Sequence, residues 1–243
     1  MTIIMIMTLR TAAILEAVIK EFIETGAPVS SRSLAKKYNW NIKDATVRNE
    51  LHALTEGNYL EQPHTSAGRV PTDRGYQFLV RRIGTRFAAG EKNSYARSAR
   101  ALIEEFSKGY FDDFVDNFAQ ELSVLGVGYA PSGRAVYKSG LDELFGRLAE
   151  DGWFTDFKEA CGIIQDFERL DERMDVLMDF LTGEEPRVFI GRSPITKSKN
   201  LSVIAEVLSV GSGKFLFAAV GPKRMDYERG LNLFMTLKER IKE

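Results

Sequence analysis

The chain has 243 residues, 44% of them hydrophobic and 28% charged, which suits an ordinary globular protein of two domains, each large enough to bury its own core. The net charge of -1 conceals an asymmetry: residues 1–86 carry 12 Lys+Arg against 8 Asp+Glu, and the remainder 21 against 26. Only the front of the chain therefore suits a polyanion. A lone cysteine, Cys161, excludes an intramolecular disulfide framework and fits a reducing compartment. The apolar start Met1–Met7 is too short to cross a bilayer and lacks a basic start or a cleavage pattern, so a cytoplasmic protein without a membrane partner is expected.

A helix is predicted from Thr8 to Thr25, with Ile14, Val18 and Phe22 on one face and Leu15, Ile19 and Ile23 widening it. Gly26-Ala27-Pro28 should end it. Ser30 or Ser31 can cap a second helix, Arg32 to Tyr38. After a turn, Asp44 is expected to cap a third helix ending near Glu56 and Gly57. There Val47, Leu51 and Leu54 make the core stripe, which places Ala45, Asn49 and His52 opposite, flanked by Thr46, Arg48 and Ala53. Small residues allow close approach to a duplex, and Asn and Arg can contact base edges in pairs of hydrogen bonds. An amphipathic helix with a solvated face would look similar.

The next segment favours the first reading. Tyr59–Gln62 and Arg69–Val70 are predicted as paired strands joined by Thr65-Ser66-Ala67-Gly68, with His64 and Arg69 near the tip of the hairpin. Arg at such a tip can enter a minor groove or pair with a phosphate. Thr72 should cap a fourth helix with Tyr76, Val80, Ile83 and Phe87 inward and Arg74, Arg81, Arg82 and Arg86 outward. The arginines would extend a basic surface already holding Lys36, Lys37, Lys43 and Arg48.

The runs Ala45-Thr46-Val47-Arg48-Asn49-Glu50 and Gln62–Tyr76 closely resemble the signature of the heat-inducible transcription repressor family HrcA. The resemblance covers residues 10–87 and implies a winged helix-turn-helix. One departure is Lys43, where the family usually has a capping Ser. Candidate DNA-binding residues are Ser31, Arg32, Lys43, Ala45, Thr46, Arg48, Asn49, His52, His64, Thr65, Ser66, Arg69 and Arg74.

Residues 90–93 are a predicted junction, giving domains 1–89 and 90–243. Ser94–Lys108 and Asp112–Leu125 read as helices. Gly126–Ala130, Val188–Ile190, Ser202–Leu208 and Lys214–Val220 read as strands, the last apolar on both faces and hence central. Asp226–Lys242 reads as a closing helix with Leu231, Phe234, Leu237 and Ile241 inward and Lys238, Arg240 and Lys242 toward its C-terminus. Val188–Gly191 and Gly221–Tyr227 also resemble the repressor family, whose C-terminal domain is GAF-like, and Ser139–Phe145 resembles it weakly. The strands and inserted dimerising domain that the family implies find no room between Pro131 and Val136. The expected fold is therefore α+β: a winged helix-turn-helix followed by a reduced GAF-like antiparallel sheet domain with packed helices.

Only His52 and His64 are present, and Cys161 has no Cys or His neighbour, so the sequence offers no catalytic, metal or cofactor motif. The acids from Asp166 to Asp179, interleaved with Arg169 and Arg173, look like a solvated helix face. Lys223 and Arg224 precede a helix start, but a Gly-Pro turn, an Asp226 cap and a structural Tyr227 explain that segment better. The resemblance implies a homodimeric repressor of chaperone operons that binds an inverted repeat in double-stranded DNA, with a GroEL-type chaperonin as partner and no cofactor. The alternatives are a regulator whose GAF-like domain senses a small molecule and an interaction adaptor that no longer binds DNA.

Overall fold

The computed structural model describes residues 7–38, 40, 42–90, 96–150, 157–181, 185–210 and 213–241. The chain falls into two compact units, residues 1–82 and 83–243.

In the first unit α1 (Leu9–Thr25) starts at Thr8, whose hydroxyl accepts from the Thr11 amide, and stops at Gly26, which takes a left-handed conformation with φ 66°. Ile14, Leu15, Val18 and Ile19 are almost fully buried, each stabilising the fold by about 1.5–3 kcal/mol relative to exposure. α2 (Ser31–Lys37) is capped reciprocally by Ser30 and Ser33. α3 (Asp44–Glu56) buries Val47, Leu51 and Leu54, the stripe its period predicts. Its N-cap is Lys43 rather than Asp44, and no side chain caps it. Asp44 instead lies inside the first turn, where its charge complements the helix dipole.

The hairpin is shorter than its sequence suggests. β1 (Leu60–Glu61) and β2 (Val70–Pro71) pair antiparallel through Leu60↔Pro71 and Glu61↔Val70. Tyr59, Gln62 and Arg69 fall outside this ladder, and Arg69 bridges Val29 between α1 and α2. The chain then enters α4 (Asp73–Ala88). The Thr72 hydroxyl accepts from the Gly75 amide at 3.2 Å, as expected of its cap.

The second unit is an antiparallel sheet between two helical layers. Its elements are α5 (Ala96–Ser107), α6 (Phe111–Leu122), β3 (Leu125–Ala130), β4 (Ala135–Ser139), α7 (Leu141–Glu150) and α8 (Phe157–Glu168). A 3-10 turn (Leu170–Arg173), α9 (Met174–Phe180), β5 (Arg187–Ile190), β6 (Leu201–Val210), β7 (Gly213–Pro222) and α10 (Tyr227–Ile241) follow. The strand order is β4-β3-β7-β6-β5, so β7 is central, as an apolar run on both faces requires. On one face Phe217 stacks on Phe234 at 4.3 Å and meets Phe114 and Phe118 edge-on. On the other, Leu216, Ala218 and Val220 join Leu144 and Leu148 of α7, Phe167 of α8 and Leu177 of α9. This α+β arrangement fits a GAF-like domain.

Three expectations for this unit need correction, and a fourth gains a partner. α6 stops at Leu122 because Ser123 turns left-handed at φ 51°, so Leu125 opens a strand instead of closing a helix. The segment after Pro131 does contain a strand: β4 returns along β3 from Ala130↔Ala135 to Gly126↔Ser139, through a tight turn with Arg134 at φ 49°. Lys238 stands in the last turn of α10 as expected, but it is buried, and its ammonium donates to Glu206 Oε1 on β6 at 2.7 Å. Asp166 is also buried rather than solvated, accepting from the Thr196 hydroxyl and the Lys197 amide. Around Gly221–Tyr227 the structural reading fits: Asp226 caps α10 through the Arg229 amide, and the buried Tyr227 hydroxyl contacts Ser202 and the Lys223 carbonyl.

Candidate nucleic-acid interface

α3 is held from behind. Glu50 leaves its outer face and accepts from Arg10 Nε and the Thr11 hydroxyl, both at 2.8 Å, tying α3 to α1 alongside the Val47–Leu51–Leu54 contacts. The opposite face is open. Ala45, Arg48, Asn49 and His52 are exposed, and Thr46 is half-buried. Arg48 makes only a 3.4 Å pair with Asp44, with 72% of the side chain exposed. His52 lies 3.6 Å from Glu56. Exposed pairs of this kind contribute about 0–1 kcal/mol, little enough for a phosphate or base edge to displace them. Asn49 and Lys43, like Arg32 and Lys36 on α2, make no side-chain hydrogen bond or ion pair among the described residues.

The hairpin beside this face is braced rather than loose. The Gln62 amide nitrogen donates to the carbonyls of Thr65 and Ala67 at 2.8 and 2.9 Å, closing the loop that exposes His64, Thr65 and Ser66. Two glycines let it pack. A Cβ on Gly68 would stand 2.5 Å from the Val29 carbonyl, and one on Gly75 would stand 2.4 Å from the Tyr59 carbonyl oxygen.

Several cations counted toward the basic surface prove to be committed elsewhere. Arg69 is not at the tip: its backbone pairs with Val29, and its Nε donates to the Thr55 hydroxyl at 3.0 Å. Arg74 points inward, donating to the Gly57 carbonyl at 2.8 Å with its guanidinium 4.4 Å from the centre of the Tyr59 ring. Lys37 bridges Glu21 and Glu24, whose hydrogen bonds, that to Glu21 foremost, raise its pKa further. Arg82 lies 3.6 Å from Glu16, and Arg86 lies 3.0 Å from Glu228. The structure thus gathers Arg32, Lys36, Lys43, Arg48 and Asn49 as outward groups on α2 and α3, with His64, Thr65 and Ser66 on the hairpin loop and Ser31 half-buried at the start of α2. Thr55 and Gln62 are braces that sequence reasoning missed, since nothing local marks a threonine as the acceptor for an arginine fourteen residues later.

These features define a two-unit α+β chain that presents an open polar helix beside a locked hairpin. Its fold is shared with a crystal structure described as that of a hypothetical protein, with a TM-score of 0.76 over 97% of each chain at 17% identity. The sequence profile of the HrcA protein C-terminal domain matches residues 72–230. The chain belongs to the HrcA family. Relatives named heat-inducible transcription repressor HrcA include one from Caldanaerobacter subterraneus subsp. tengcongensis, 44% identical over 114 residues, or 47% of this chain and 32% of that protein. Another, from Clostridium perfringens, is 53% identical over 74 residues, 30% of this chain and 22% of that protein. The matched stretches thus span about a third or less of those relatives' length.

Proposed function

We propose that the chain is a sequence-specific DNA-binding transcriptional repressor of chaperone operons, with its first unit acting as a winged helix. The observation that carries this reading is the outer face of α3, where Asn49 and Arg48 project between small residues and have no strong partner among the described residues. In the major groove, Arg48 and Asn49 read base edges while Ala45 and Thr46 permit close approach. Lys43, Arg32, Ser31 and His52 meet the flanking backbone, and His64, Thr65 and Ser66 take the hairpin loop to the next phosphates or minor groove. Arg69 and Arg74 serve the interface by bracing the hairpin. The names of the relatives support the same function.

One winged helix covers too little DNA for tight specific binding, so a homodimer matched to an inverted repeat is the expected form, joined through residues 94–243. A GroEL-type chaperonin is the expected partner in folding. Phe215–Val220 is an uninterrupted apolar run that is safe only once paired on both sides, as β7 is here. Footprinting on the promoters of the organism's own chaperone genes tests the proposal. Protection of both arms of an inverted repeat, weakening steeply with salt, is expected; uniform binding without a protected site would remove it.

A further inference from the structure

The second unit holds an open cleft of about 660 Å³ between α8, the 3-10 turn and the 192–199 loop, a size suited to a small ligand. Six cations line it: Lys158, Arg169, Arg173, Arg192, Lys197 and Lys199. Three acids, Glu159, Asp166 and Glu172, lie among them, and the first two also hold the walls together. Glu159 Oε1 accepts from the Ser198 hydroxyl and the Asn200 amide group at 2.9 and 2.7 Å. Asp166 Oδ2 accepts from the Thr196 hydroxyl and the Lys197 amide at 3.2 and 2.7 Å. Arg173 adds a third tie, donating to the carbonyls of Asp166 and Pro194, while its Nε is buried without an acceptor.

These bonds pin the loop to α8, so Arg192, Lys197 and Lys199 are held opposite Arg169. All four are exposed, and none has a side-chain partner among the described residues. Six cations against three acids leave the lining with a positive balance, which raises the local potential, and a concave site focuses it.

We propose that this cleft binds a small phosphate-rich polyanion, either pyrophosphate or the phosphate chain of a nucleoside triphosphate. A cleft lined by charge and without an aromatic ring recognises phosphates rather than a base. The surrounding chain argues for a small ligand: residues 87–243 carry 21 Lys+Arg against 26 Asp+Glu, which repels a long duplex while leaving a local cationic focus. The lining residues all belong to the second unit, and none is among the candidate DNA-binding residues, so the site would give the protein a metabolite input of its own.

Calorimetric titration of the full chain with pyrophosphate and, separately, ATP tests this. Saturable binding that weakens between about 50 and about 500 mM NaCl is expected. Equal affinities would identify the phosphate chain alone, and tighter ATP binding would identify the nucleotide. Arg169→Ala with Arg192→Ala should weaken binding at least tenfold at an unchanged melting temperature, since both side chains are exposed. Lys197→Ala with Lys199→Ala should act likewise, and Lys214→Ala, outside the cleft, should have no effect. No binding at about 1 mM ligand, full affinity in both double variants, or loss of binding in Lys43→Ala with Arg48→Ala instead would overturn the proposal.

Discussion

Replacing Gly68 with alanine tests how the hairpin is held against the rest of the first unit. The new Cβ would stand 2.5 Å from the carbonyl carbon and oxygen of Val29 and 2.7 Å from the Pro28 carbonyl carbon. All three are main-chain atoms, so no side chain can swing aside. Since non-bonded carbons pack best at about 3.5–4.0 Å, the loop must retreat by roughly 1 Å. That retreat breaks the Val29–Arg69 bridge, whose two backbone hydrogen bonds measure 2.9 and 2.7 Å. Each contributes about 0.5–1.5 kcal/mol. With overpacking costing about 1–3 kcal/mol, the expected loss is about 2–6 kcal/mol. For a unit of this size 1 kcal/mol moves the melting point by about 4–8 °C, so a fall of roughly 8 °C or more is expected. Circular dichroism melting gives the shift, and amide exchange read by mass spectrometry assigns it to Val29 and Arg69. Gly84→Ala is the control: its Cβ meets nothing within 4 Å, and in a helix interior it should stabilise by about 0.5–1 kcal/mol. A Gly68→Ala protein that melts with wild type and keeps its protection at Val29 would refute the reasoning.

Three further outcomes are expected. Lys238→Met should cost about 3–5 kcal/mol in urea denaturation by leaving Glu206 charged and buried, and adding Glu206→Leu should recover most of it; equal stability of the two variants would sink this account of the pair. Glu105→Gln should stabilise at pH 7. Burial, ahead of other causes, raises the Glu105 pKa above its ordinary 4.5 although Asn117 donates to it; its favourable contribution is therefore present below that value and lost as pH rises through the folded value. Urea midpoints at pH 7 and pH 4 should show the variant's advantage shrinking toward acid, and an advantage equal at both would contradict it. Arg48→Ala should lower operator affinity about tenfold or more, readable by fluorescence anisotropy, as expected when a base contact worth about 1–3 kcal/mol is lost; Arg82→Ala, already paired with Glu16, should change it less than twofold.

Much of the first unit was legible because its signals are local. The Val47–Leu51–Leu54 stripe fixes which way Asn49 faces, and Gly26 and Thr72 mark helix ends; in the second unit, the strand apolar on both faces had to be central. What escaped reading depends on partners far along the chain. Arg69 and Arg74 resemble surface cations until Thr55, Gly57 and Tyr59 are brought against them. Lys238 follows the rule for cations at a helix C-terminus yet faces Glu206 thirty-two residues away. β4 carries too little apolar pattern to announce itself, being mostly half-buried at the edge of the sheet. Asp166 was misread for the same reason, since its donors lie in the 196–197 segment.

Selection from a random duplex library, run in parallel with wild-type protein and Asn49→Ala, tests the central claim most directly. The account predicts that wild type enriches an inverted repeat and that Asn49→Ala enriches the same spacing with base preference lost at one symmetric pair of positions. An identical motif from both proteins, or no motif from wild type, would contradict it.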